Sequence, residues 1–185
     1  MAPELESASL VTEASIERAA QAGEGVVRET PIITTRTLSE RAGTHIVLKA
    51  ENLQGTGSFK LRGAMSKLSA LGEKSARGVV CGSAGNHAQA VAYAARSRGV
   101  PCEVFMPEAA PIAKAEAVQA LGATLHLAGR SVDDCVAAAK ERAAEAGMQF
   151  IHPFDDVDVI SGQGGVGLEL LRQVPDLARV VVPVG

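Results

Sequence analysis

From residue 78 onward, short β-branched or apolar runs alternate with alanine-rich stretches of helical length. This rhythm constrains the fold more than any other feature of the chain. Gly78-Val79-Val80-Cys81 and Cys102-Glu103-Val104-Phe105-Met106 read as strands, as do Ala123 to Leu127 and Met148 to His152. Between them, Asn86 to Arg98, Lys114 to Leu121 and Val132 to Ala146 have helix composition, with Gly122 and Gly147 where helices usually stop. Strands joined by helices of this length lie parallel, because each crossover must cover a face of the sheet. The expected class is therefore α/β.

Upstream, Ser15 to Gln21 predicts a short amphipathic helix and Ile46 to Lys49 a strand. A polar loop from Glu51 to Gly57 leads into a helix from Ser58 to about Leu71, closed by Gly72. Downstream, Gly164 to Arg172 predicts a helix and Arg179 to Gly185 a buried strand. In open α/β sheets ligands bind just beyond the carboxyl ends of strands. A chain stopping at such a glycine is expected to be the front portion of a longer design; a naturally short protein ending in an edge strand is the alternative.

Composition narrows the function classes. Of 185 residues 46% are hydrophobic and 21% charged, with net charge −3, which excludes a disordered tail and a strongly basic nucleic-acid binder. Only four Phe and one Tyr are present, too few for a base-stacking platform, so no nucleic-acid partner is expected. No run approaches the roughly 18 apolar residues of a membrane span, and the acidic opening is unlike a secretory signal, so a cytoplasmic protein with no membrane partner is expected. Cys81, Cys102 and Cys135 lack ligand spacing and read as reduced core thiols, and no metal site is expected.

Two loops carry candidate chemistry. In Gly55-Thr56-Gly57-Ser58-Phe59-Lys60, a Gly/Ser turn opens a helix with Lys60 in its first turn. The positive end of the helix dipole there favours loss of a proton. Such an amine is a candidate for Schiff-base chemistry, and a surface lysine is the plain alternative. In Gly82-Ser83-Ala84-Gly85-Asn86-His87, small residues between a strand and a helix suit a bound carboxylate or phosphate, or a simple cap with Asn86 as N-cap. Other patterns are set aside. Gly162-Gln163-Gly164-Gly165-Val166-Gly167 matches a dinucleotide fingerprint but follows the polar run Asp155-Asp156-Val157-Asp158, which reads as a solvated loop. Cys81 stands where a nucleophile elbow at Ser83 would need glycine. His45, His126 and His152 read as structural.

Taken together, the ordered segments Glu51-Asn52-Leu53-Gln54, Thr56 to Ala64, Ser83 to Gln89, Met106-Pro107, Ala110-Pro111, His152 to Asp156, Gly162-Gln163-Gly164 and Pro183-Val184-Gly185 resemble the threonine dehydratase (threonine ammonia-lyase) branch of the fold-type II pyridoxal-phosphate enzymes. The resemblance spans about residues 30 to 185. It implies a small three-layer parallel-sheet domain over 58–155, with 1–57 and 156–185 belonging to a larger α/β domain, the last part truncated. The implied cofactor is pyridoxal 5′-phosphate, the substrate a small amino acid, and the assembly a homo-oligomer. Lys60 would carry the cofactor and, once displaced by substrate, remove the α-proton. Phe59 would pack near the cofactor ring and Asn86 would bond its hydroxyl. Ser83, Gly85, Asn86 and His87 would grip the substrate carboxylate, and Gly185 would begin the phosphate loop.

Leu61 and Arg62-Gly63-Ala64 after Lys60, with His87 after Asn86, favour the dehydratase branch over cysteine and threonine synthases. Serine racemases commonly have serine where this chain has Ala84, so elimination is expected over racemisation. Gly165 and Gly167 stand where the family usually has larger residues. The implied activity is deamination of L-threonine, and of L-serine, to 2-oxobutanoate or pyruvate and ammonia. A racemase and a non-catalytic fragment are the alternatives.

Overall fold

The computed structural model describes residues 11–183. Its centre is a four-stranded, wholly parallel sheet made of β3 (Val79–Gly82), β4 (Cys102–Met106), β5 (Thr124–Leu127) and β6 (Gln149–Phe150), in the order β5-β4-β3-β6. Before the sheet come α1 (Glu13–Ala22), β1 (Ile32–Thr34), α2 (Arg36–Ala42), β2 (Val47–Lys49) and α3 (Lys60–Leu71), with β1 and β2 paired antiparallel. The crossovers are α4 (Asn86–Ser97), α5 (Ile112–Ala120) and α6 (Val132–Ala146), and α7 (Val157–Gln173) follows the sheet.

Successive side chains of a strand point to opposite faces, and here both faces are covered. Val79, Cys81, Val104 and Met106 pack with Ala88, Val91 and Ala95 of α4, Val118 of α5, and Leu61, Met65 and Leu68 of α3. Val80 and Phe105 pack the other way, against Cys135 and Ala139 of α6. The result is the expected helix–sheet–helix layering. Alanines let α4 sit close to the sheet, and Gly82 does the same for α6: a Cβ there would lie 2.6 Å from the Cys135 carbonyl and the Val136 amide nitrogen. Fully buried Leu61 and Leu68 each stabilise the fold by about 2 kcal/mol of apolar transfer. Local signals set the ends of α6. Ser131 and Asp134 form a capping box, and Gly147 closes the helix in the left-handed conformation at φ 65°.

A buried ionic cluster fastens the upstream segment to α3 and α7. Arg62, 4% exposed, makes paired hydrogen bonds to Glu51 (2.8 and 2.8 Å) and to Glu169 (2.7 and 2.9 Å). Glu169 also binds Lys49, whose ammonium reaches Gln173 at 2.9 Å and the Thr30 carbonyl at 2.6 Å. The opposed carboxylates drive the Arg62 guanidinium further toward permanent charge, against its burial. Glu169 is held below the usual carboxylate range by Arg62 and Lys49, again against its burial.

Several expectations are corrected. Asp155 lies in an exposed loop as expected, but the rest of the run begins a helix: Asp156 caps α7 by accepting from the Asp158 and Val159 amides, and Asp158 lies in its first turn. Lys67 of α3 pairs with Asp156 at 2.7 Å and Asp158 at 2.9 Å. The glycine-rich run 162–167 consequently lies inside α7, where it permits a helix crossing. A Cβ on Gly162 would stand 2.6 Å from the Gly63 Cα. The helix at residue 58 begins instead at Lys60. Among the described residues Arg179–Pro183 forms no strand, and Val180, Val181 and Val182 are 52%, 86% and 66% exposed. A β-branched run becomes a strand only where another strand pairs with it, and no backbone ladder reaches this segment. No helix of the described residues is long and apolar enough to cross a membrane.

Candidate functional site

The order β5-β4-β3-β6 means that the chain leaves β3 toward β4 on one side and returns as β6 on the other. The connections after β3 and β6 therefore diverge at the carboxyl edge of the sheet, the place where open parallel sheets form a ligand crevice. Both candidate loops lead to this switch point.

The first element is Lys60. The turn before it contains Gly57 at φ 72°, a left-handed conformation that glycine adopts without strain, and the Gly57 amide donates to the Gln54 carbonyl at 2.9 Å. Gln54 is fixed by a two-way bond to the Arg28 backbone, at 3.0 and 2.7 Å. α3 then starts without a side-chain cap. The Lys60 amine, partly buried, donates to the Pro153 carbonyl at 2.7 Å, in the connection that follows β6. Burial holds its pKa below the ordinary lysine value of 10.5. Its nitrogen stands 5.3 Å from the ring centroid of Phe59, a residue that is 41% exposed. Thr56 Oγ1 and Ser58 Oγ in the same turn are buried without a partner.

The second element is the loop after β3. The Ser83 amide donates to the Phe105 carbonyl at 2.9 Å, and Ser83 Oγ accepts from the Gly85 amide at 3.1 Å. Gly85, not Asn86, is the N-cap of α4; Asn86 is its first residue and is exposed. His87 is buried beneath the loop, with Nε2 3.1 Å from the Ile151 carbonyl. A carbonyl oxygen only accepts, so Nε2 carries the hydrogen. Desolvation holds the ring neutral, its pKa lowered to about 4, and the Lys60 charge adds to the effect. The imidazole therefore supports the loop from below. Lys114 of α5 faces the loop, its Nζ 3.9 Å from where a Gly85 Cβ would stand.

The structure thus brings Lys60 and His87 within electrostatic reach of each other and places Phe59, Ser83, Gly85 and Asn86 on the flanking segments. Gly185 lies outside the described residues. Sequence reasoning did not assign the contact of the Pro153 carbonyl with Lys60, although His152 to Asp156 is one of the segments that carry the resemblance. His152 bonds its own backbone, its Nδ1 accepting from the Phe154 amide at 3.3 Å and the Asp155 amide at 2.7 Å. The remaining polar residues lie elsewhere. His126 bonds Glu103 at 2.7 Å and stacks on Phe105, and His45 is exposed. All three cysteines are buried with their pKa values raised by burial, Cys102 to about 12. Among the described residues no group of three or more His, Cys, Asp or Glu is placed to hold a metal ion.

Comparison with known proteins agrees with this geometry. Residues 24–185 match the family model described as "Pyridoxal-phosphate dependent enzyme". The chain is 47% identical over 160 residues to an L-threonine ammonia-lyase of Geobacter sulfurreducens, covering 86% of this chain and 40% of that protein. Maize serine racemase superposes with a TM-score of 0.84 at 38% identity, covering 88% of this chain and 50% of that one. The processed form of threonine deaminase isoform 2 from Solanum lycopersicum superposes at 0.83 with 36% identity, covering 93% and 47%. The chain therefore spans about half the length of the relatives it matches. With its amine, its small-residue loop and its parallel sheet in this arrangement, the chain belongs to the pyridoxal-phosphate dependent enzyme family, with a fold of type II.

Proposed function

We propose that these residues form the amine-bearing and substrate-gripping part of an ammonia-lyase that converts L-threonine, and secondarily L-serine, to 2-oxobutanoate or pyruvate with release of ammonia. The observation that carries the reading is Lys60: a partly buried amine with a lowered pKa, held by the Pro153 carbonyl at the switch point of a parallel sheet. The residues present fit pyridoxal phosphate. An amine with depressed pKa suits attachment to an aldehyde, Phe59 offers an exposed aromatic face, and the buried hydroxyls of Thr56 and Ser58 leave hydrogen-bonding capacity unused. Lys60 would hold the cofactor, with Phe59 and Asn86 beside it, and Gly185 would contribute to its phosphate site. When bound, the group supplies an electron sink for the pair left behind as the α-proton departs.

The chain's own residues supply the rest. Lys60 is the base that takes the α-proton. The backbone amides at the start of α4, with Ser83 and the Asn86 side chain, receive the substrate carboxylate, and His87 keeps that loop in shape from beneath. The balance is loss of the α-hydrogen and the β-hydroxyl, followed by hydrolysis of the C–N bond. Ala84 has no group able to give or take a proton on the opposite side of the substrate, which favours elimination over racemisation. The same reading makes 58–155 a small domain, and the protein a cytoplasmic homo-oligomer.

The test is Lys60→Ala in the full-length protein, assayed for 2-oxo acid and ammonia from L-threonine. Loss of about a thousandfold or more is expected for removal of the base. Full activity in that variant would overturn the reading, and D-serine formed from L-serine by the wild type would favour a racemase.

A further inference from the structure

The turn after β6 holds a histidine in an unusual way. The His152 imidazole curls over its own backbone so that Nδ1 accepts two amide hydrogens, from Phe154 and Asp155. A ring nitrogen that accepts cannot carry a proton, so this geometry exists only with neutral imidazole protonated at Nε2. Two aromatic rings meet the imidazole edge to face, Phe150 at 6.0 Å and Phe154 at 4.7 Å between centroids. Between His152 and those two amides lies Pro153, whose carbonyl accepts the Lys60 amine at 2.7 Å. The position of that carbonyl is thus set by the turn that the imidazole closes.

We propose that His152 is a positioning residue for Lys60: its neutral ring locks the 152–155 turn so that the Pro153 carbonyl parks the lysine amine whenever it is not bonded to cofactor. This rests on the reading of Lys60 as the cofactor lysine. A base that must leave the cofactor, take a proton and return needs a fixed acceptor close by, since a free four-carbon side chain would otherwise explore solvent. Protonating His152 would set an N–H against two N–H donors and open the turn. The charged groups facing the ring are Asp155 and Asp156 from its own loop, Lys140 of α6 and Lys60 of α3. Burial, joined by the two lysines, opposes protonation and outweighs the aspartates that favour it, so the ring titrates below its ordinary value of 6.5.

The experiment uses the full-length holoenzyme with His152→Asn and His152→Ala. Asparagine offers an oxygen acceptor near the place of Nδ1 but does not titrate. Long-range proton–nitrogen NMR of wild type at pH 8 should show His152 with Nε2 protonated and Nδ1 bare. On acidification, protection of the Phe154 and Asp155 amides, taken relative to the intrinsic exchange rate at each pH, should fall at the midpoint of the ring's titration. His152→Ala should lower kcat about tenfold, the loss of one positioning hydrogen bond, with KM within about twofold. Wild type should show an acid limb in its kcat profile at the His152 midpoint, and His152→Asn should restore kcat to within about threefold while abolishing that limb. A ring protonated at Nδ1, an acid limb that persists unchanged in His152→Asn, or an effect of His152→Ala on KM alone would overturn the proposal. Lys60→Ala run in parallel separates the two readings: if it keeps full activity the lysine assignment fails, whereas the NMR result judges the turn independently.

Discussion

The crossing of α3 and α7 makes opposite predictions for two glycines on one helix. A Cβ at Gly162 would lie 2.6 Å from both the Arg62 carbonyl oxygen and the Gly63 Cα, and 2.8 Å from Ser66 Cβ. Ordinary carbon contacts are about 3.5–4.0 Å, so the shortfall is about 1 Å. The obstacle is mainly backbone, which cannot rotate away, and the helices must separate. Gly→Ala inside a helix ordinarily gains about 1 kcal/mol, whereas forcing a methyl into a packed contact costs about 1–3 kcal/mol or more. With the obstructing atoms on the neighbouring backbone, the upper end applies, and Gly162→Ala should destabilise by about 2 kcal/mol. Gly167, exposed and with no atom within 4 Å of its would-be Cβ, should show the bare propensity gain on mutation to Ala, up to about 1 kcal/mol. Urea unfolding of both variants by far-UV circular dichroism should bracket wild type, with midpoints displaced in opposite directions. A Gly162→Ala protein as stable as wild type, or one that shifts in the same direction as Gly167→Ala, would refute the close-crossing argument.

Two further predictions concern charge. Arg62→Met leaves Glu51 and Glu169 facing each other in a buried setting without their common partner, and should cost about 3–5 kcal/mol; Lys should recover only part, since one ammonium cannot make paired bonds to two carboxylates. Thermal unfolding of the two variants checks the ranking. His87, neutral in the fold with its pKa near 4 against an ordinary 6.5, makes the unfolded chain bind more protons between those values. Its contribution, up to about 3 kcal/mol, is therefore present above pH 6.5 and lost as pH falls toward 4. Denaturant titrations at several pH values should show that slope in wild type and a flatter one in His87→Gln, which keeps a donor for Ile151.

What the sequence conveyed, and what it did not, follows from how local each determinant is. α6 was legible to the residue because its ends are set by Ser131 and Gly147, neighbours in sequence. The start of α7 was not, because Asp155, Asp156 and Asp158 read as a polar loop until Lys67, far away in sequence, supplies the opposite charge. The valine run at 180–182 illustrates the converse: strand composition without a strand neighbour among the described residues forms no strand and stays exposed. Asn86 has the composition of a cap for α4, yet Gly85 takes that place without a side-chain bond, and Asn86 is the exposed first residue of the helix. The turn and helix start around Lys60 leave a surface lysine as the alternative, and it is the family resemblance that singles the residue out. Its hold on Pro153 depends on a backbone carbonyl 93 residues away, a pairing that composition and spacing do not reveal even though His152 to Asp156 is among the segments that carry the resemblance.

The central claim is that Lys60 is the amine that carries the cofactor. Borohydride reduction of the full-length protein in the presence of pyridoxal phosphate, followed by peptide mass mapping, tests it most directly. The account predicts a single modified site at Lys60, with Lys49, Lys67, Lys74, Lys114 and Lys140 unlabelled. A label concentrated on any of those five, or spread evenly over these six residues, would contradict it.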